Sequence, residues 1–138
     1  MTPSVLQQAP IAARAVATRL RMAARVESSS LPELLRALTV DGVDAAPVDV
    51  VERALFTSQR IVRRLRVVPD TCLYRALTRY ALLRRAGHPA RFVMALDPSA
   101  PDVQGHAWVE LGGKPVGETI DPRYVVTFAY PDPMERPS

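Results

Sequence analysis

Apolar residues recur along this chain in two rhythms, and the rhythm changes near residue 90. In the first part the spacing is helical. Ala13, Val16, Leu20, Ala23 and Ala24 form one stripe, with Arg14, Arg21 and Arg25 on the other side, which predicts a surface helix. After Ser28–Ser30, Leu31 to Val40 reads as a short helix with Pro32 in its first turn and Gly42 as its stop. Pro47 opens a longer helix to about Arg66, with Val48, Val51, Leu55, Val62 and Leu65 on one face. Arg60, Arg63, Arg64 and Arg66 crowd its last turns, where positive charge complements the helix dipole. Val67, Val68 and Pro69 interrupt. A third strong helix runs from about Cys72 to Ala86 and stops at Gly87, with Leu73, Ala76, Leu77, Tyr80 and Leu83 as its buried stripe.

Beyond residue 90 the pattern is that of strands. "ARFVMAL" from Ala90 is a short apolar run before the turn-rich "DPSAPDVQG". "HAWVEL" and "KPVGETI" flank Gly112-Gly113, a hairpin signal, and "YVVTFAY" follows Asp121-Pro122 as a last strand. No internal repeat is visible. Helices followed by a small antiparallel sheet make an α+β domain. The 138 residues are expected to form one domain, with a helical region over 1–46, a core over 47–130 and a flexible tail over 131–138.

Composition narrows the classes. Apolar residues make up 48% of the chain, enough for a core, yet no run of about 18 apolar residues exists to span a membrane. The formal charge of +4, carried mostly by arginine, favours acidic partners without identifying them. Nucleic-acid motifs are absent and aromatics are only 6%, which argues against stacking platforms. No phosphate-binding glycine loop, H-E-x-x-H or cysteine–histidine cluster calls for a cofactor or a metal. The single cysteine forms no internal disulfide and suits a reducing cytosol. Residues 1–30, rich in Arg and Ser and poor in acids, also have the composition of a transit peptide, but their apolar stripe supports the helix.

That cysteine, Cys72, follows Asp70 and Thr71, either of which is a good N-cap, so it lies in the first turn of its helix. Amide groups and the positive end of the dipole favour a thiolate there, and the same amides suit a tetrahedral oxyanion. A lone cysteine is more often a small buried apolar residue. A nucleophilic one needs a base and an orienting group. His106 stands 34 residues later at the head of a strand, whereas His88 sits in a loop before Pro89. Trp108 shares the His106 face by alternation, either as a wall of the substrate cleft that shields the imidazole or as plain core. Arg75, Arg79, Arg84 and Arg85 present either a receptor for an acidic peptide or a solvated helix face.

Over Phe56 to Glu118, the pattern "CLYRALTRYALLRRAGHPARFVMAL" followed by "HAWVELGGKPVGE" resembles the transglutaminase-like cysteine peptidases that remove leader peptides in lasso-peptide biosynthesis. The resemblance is specific at C-L-x-R-A-L, at L-L-R-R-x-G, and at H-A-W-V-E followed by P-V-G-E. It implies a transglutaminase-like, papain-like core in a bacterial cytoplasmic enzyme, with Cys72 as nucleophile, His106 as base and an acid completing a triad. It also implies a precursor peptide as substrate, a separate leader-recognition protein and the lasso cyclase as partners, and no cofactor. Two alternatives remain: acyl transfer to an amine, and a non-enzymatic basic binding module.

Two carboxylates compete for the acid position. Glu118, 12 residues after His106, matches the family's acid; Asp121, followed by proline, matches the third member in other transglutaminase-like enzymes. If Gly112-Gly113 is a two-residue turn, Leu111 pairs with Lys114 and His106 with Thr119, and alternation puts Asp121 on the His106 face. If Lys114 joins the loop with a glycine bulge, Glu118 takes that face instead. The resemblance ranks Glu118 first.

Overall fold

The computed structural model describes residues 5–25, 28–66, 71–99, 102 and 104–131. Four helices, α1 (Val5–Arg25), α2 (Leu31–Leu38), α3 (Val48–Leu65) and α4 (Cys72–Arg85), precede a four-stranded antiparallel sheet. Its strands are β1 (Arg91–Asp97), β2 (Gln104–Leu111), β3 (Lys114–Pro115) and β4 (Val125–Tyr130), ordered β3-β2-β1-β4. The α+β expectation holds. The expected break at Val67, Val68 and Pro69, the alternative cap Asp70 and the tail beyond Pro131 lie outside the described residues.

Helix α4 is the hub. Tyr74, Ala76, Leu77, Thr78 and the run from Tyr80 to Leu83 are all buried, so it is covered by helices on one side and by the sheet on the other. The Thr78 hydroxyl is tolerated because it donates to the Tyr74 carbonyl at 2.7 Å. Thr71 caps the start, its Oγ1 accepting from the Tyr74 amide at 3.3 Å. At the other end, the segment between α2 and α3 lies across the final turn. The amides of Gly42 and Asp44 donate to the carbonyls of Arg84 and Arg85 at 3.0 and 2.8 Å, groups that a helix end leaves without internal partners. Arg84 and Arg85 pair in turn with Asp41 and Asp44, at 2.8 and 3.0 Å. Two arginines of the expected solvated or receptor face thus fasten the chain to itself.

The helical stripes are shifted from the sequence reading in two places. On α1 the buried residues are Ala12, Ala15, Thr18, Arg19 and Met22, whereas Ala13, Leu20 and Ala24 are exposed. Alanines occur on both sides of this helix, so its phase is weakly marked. The polar members of the buried face find partners: Thr18 donates to the Arg14 carbonyl, and Arg19 donates to the Gln59 side chain of α3. On α3, Val50, Val51, Ala54, Leu55, Ser58 and Val62 are buried, while Leu65 is exposed at the end of the helix.

Tyr80 ties α4 to the end of α2. Its ring is fully buried, and its hydroxyl lies 2.6 Å from Thr39 Oγ1. Thr39 spends its own proton on the Leu35 carbonyl, so Tyr80 is the donor. Burial raises the phenol above its ordinary value. The native state therefore keeps this proton to a higher pH than the unfolded chain does. Stability from this group is complete below about pH 10 and falls as pH rises through the alkaline range, because the unfolded phenol ionises first. Tyr80→Phe is expected to lose about 1 kcal/mol at neutral pH and to lessen the alkaline fall. Urea unfolding of both proteins at neutral pH and at about pH 11 measures each effect; an equal alkaline loss in the two would show that Tyr80 is not its source.

Candidate active site

The connection Ala86–Ala90 is short, and β1 returns along the helix it follows. Fourteen residues of α4 rise about 21 Å and seven of β1 about 23 Å, so the two elements match in length. Strand β2 follows, with His106 paired to Ala95.

Strand β2 divides its residues between two environments. Ala107 and Val109 join the main core with α4, together with Phe92 of β1. His106 and Trp108 take the opposite face. There Trp108, with Val93 and Ala95, forms a second small core backed by Ile120, Tyr124 and Ala129. The imidazole is stacked on the Trp108 ring, with centroids 5.8 Å apart and planes inclined by 28°. Tyr124 covers it from another side at 5.6 Å. Only 3% of Trp108 is exposed, and its Nε1 donates to Glu110 at 3.2 Å, so what the indole gives His106 is a dry flank. His88 is placed elsewhere, its Nε2 bonded to the Ala46 carbonyl at 2.7 Å.

The acid beside His106 is Glu118: Oε1 lies 2.5 Å from Nε2 of the ring. A carboxylate accepts, so Nε2 carries the proton and Nδ1 is left as the basic nitrogen. The route to this contact differs from both hairpin alternatives. Leu111 does pair with Lys114, so the turn has two residues, Gly112 and Gly113, both with positive φ. That register favoured Asp121. The ladder, however, ends after Glu110–Pro115, with one further bond from the Val116 amide to the Val109 carbonyl at 2.8 Å. Gly117 then adopts φ +77°, which breaks the alternation and swings Glu118 to the imidazole.

Asp121 does different work. Its Oδ1 accepts from the Arg123 amide at 3.0 Å and its Oδ2 from the Arg123 guanidinium at 2.9 Å. These bonds hold its carboxyl below the usual carboxylate range. The tight turn it forms, closed by the Tyr124 amide on the Asp121 carbonyl at 3.2 Å, delivers Tyr124 to the ring. Sequence reasoning overlooked Tyr124; an aromatic three residues after the turn-forming Asp121 was the available signal.

Cys72 is the first residue of α4 and is half-buried. The structure joins His106 to Glu118 but not to the cysteine: among the described residues, no hydrogen bond links Cys72 to His106 or Glu118. Nor do the described residues contain a cluster of three His, Cys, Asp or Glu side chains able to hold a metal, or a helix long and apolar enough to cross a membrane.

Comparison with known proteins gives one match. The family model described as the transglutaminase-like superfamily covers residues 10–129, and the chain belongs to that superfamily. No curated protein and no solved structure matches significantly.

The different partners of Glu118 and Asp121 give a direct expectation. A proton held on Nε2 in a short bond to a carboxylate resonates far downfield. Glu118→Gln is expected to weaken or abolish that His106 signal in proton NMR, and Asp121→Asn to leave it in place. Loss in Asp121→Asn alone would reverse the assignment.

Proposed function

We propose that this member of the transglutaminase-like superfamily is a cysteine peptidase that removes the leader from a lasso-peptide precursor. Cys72 is the nucleophile, His106 the base and Glu118 the group that orients the ring. The observation that supports this reading is the bond between His106 Nε2 and Glu118, which leaves Nδ1 as the nitrogen that can take a thiol proton. The motif resemblance from Phe56 to Glu118 supports the leader-peptidase assignment.

In this mechanism Nδ1 of His106 takes the proton from Cys72, and the thiolate attacks the carbonyl of the bond between leader and core. Amides of the first turn of α4 stabilise the oxyanion. Collapse of the intermediate breaks the C–N bond, and His106 hands its proton to the leaving amine of the core. The leader remains as a thioester on Cys72. Water, deprotonated by the same imidazole, then releases it as a carboxylate. Glu118 fixes the tautomer throughout, and Trp108 and Tyr124 keep water from the flanks of the ring. Closing the Cys72–His106 contact takes a movement at the head of α4 or of the ring. Substrate binding supplies it, as such contacts commonly tighten only in the complex.

A second reading follows from superfamily membership alone: the same thioester passes to an amine, giving a conjugate. Non-enzymatic binding, the third alternative, needs no reactive thiol. The proposed partners are the precursor, a separate leader-recognition protein and the lasso cyclase. A recognition partner raises the local concentration of substrate and positions its scissile bond.

The test is incubation with a lasso-peptide precursor and its recognition protein, followed by mass spectrometry. Free leader and free core are expected, formed faster as the recognition protein is added. Cys72→Ala is expected to abolish both while remaining folded, and Glu118→Gln to slow turnover by roughly two to four orders of magnitude. A conjugate in place of free products would select acyl transfer, and full cleavage by Cys72→Ala would end the peptidase reading.

A further inference from the structure

The turn that presents Glu118 rests on two charged side chains from the helical half of the chain. Glu52 of α3 and Arg79 of α4 form an ion pair, with Arg79 Nε 3.1 and 3.0 Å from the two carboxylate oxygens. Both side chains are mostly covered, at 24% and 21% exposed, which distinguishes the pair from a flexible surface contact. Gly117 lies directly against it. A β-carbon placed on Gly117 would come within 2.8 Å of Arg79 Nη2 and 3.0 Å of Glu52 Oε1.

Two independent constraints therefore meet at the residue before the acid. The backbone of Gly117 is left-handed, at φ +77°, and a side chain there would force the ends of Arg79 and Glu52 to shift. With the ladder ended at Pro115, no strand partner fixes the direction of residues 117 and 118. The ion pair is the surface against which that direction is set.

We infer that Arg79 and Glu52 are positioning residues: their ion pair seats Gly117 in its left-handed turn and thereby holds Glu118 against His106. The inference rests on the reading of Glu118 as the acid of the site. It gives Arg79 a task that neither a peptide receptor nor a solvated helix face describes. It also makes the geometry of the imidazole depend on how α3 and α4 are packed, although His106 and Glu118 both belong to the sheet half of the chain.

The His106 Nε2 proton reports this geometry without any substrate. In NMR of the full chain, Arg79→Gln and Glu52→Gln are each expected to shift its downfield resonance and to speed its exchange with water about tenfold or more. The double variant is expected to do no more than either single one, since the two side chains act as a unit. Two controls separate this from a general loss of packing. Arg85→Gln breaks the ion pair with Asp44 and is expected to leave the His106 proton unchanged. The His88 side chain, bonded to Ala46, is expected to be unaffected in every variant. Gly117→Ala should reproduce the loss, but the two partly exposed ion-pair positions carry the test should that variant not fold. An unchanged His106 proton in both Arg79→Gln and Glu52→Gln, with thermal unfolding showing folded protein, would overturn the inference whatever the cleavage activity. A lost proton with undiminished cleavage would uphold the positioning role and instead remove Glu118 from catalysis.

Discussion

Enclosure of α4 is the constraint on which the rest of the structure depends. A helix covered by other helices and by a sheet must satisfy its terminal groups locally, because little water reaches them. The C-terminal carbonyls are met by the segment from Gly42 to Ala46, which brings Asp41 and Asp44 within reach of Arg84 and Arg85. The N-terminal end is met differently, by the Thr71 hydroxyl on the Tyr74 amide. One end is sewn into the fold by backbone and charge; the other begins with a cysteine and a single described side-chain cap. That asymmetry suits the proposed roles of the two ends, the first fixing the helix and the second presenting the thiol.

The same enclosure explains the division of labour in β2. Residues that press on α4 must be small or apolar, as Ala107 and Val109 are. Their neighbours His106 and Trp108 are thereby turned to the other face, where Tyr124 completes an aromatic shelter. A polar ring that would be costly in the main core is kept at its margin, with a carboxylate to accept its hydrogen bond.

Much of the fold was legible in the sequence. The helix of Cys72 is marked by its cap, its stripe and Gly87, and the strands by short apolar runs between turn residues. The phase of α1 was not, because a buried Thr18 and Arg19 become acceptable through the Arg14 carbonyl and Gln59, partners that the apolar pattern does not mark. Nor was the full role of the α4 arginines, whose acidic partners come from distant segments. At the candidate site, the neighbourhood of His106 and Trp108 followed from period-two alternation. The choice between Glu118 and Asp121 did not follow from the same rule. It assumed that β3 continues, and the positive φ of Gly117, which ends that assumption, depends on an ion pair between two helices far away in sequence.

The early end of β3 has a consequence for how such a chain can vary. Within a ladder, inserting or deleting one residue reverses every side chain beyond it. From Val116 to Tyr124 no ladder operates, and β4 is registered on β1 rather than on β3. The interval between the imidazole and its carboxylate is therefore a continuous variable for evolution instead of one counted in steps of two. A lineage can lengthen this arc, shorten it, or exchange a longer acid for a shorter one, while the registered strands on either side stay as they are.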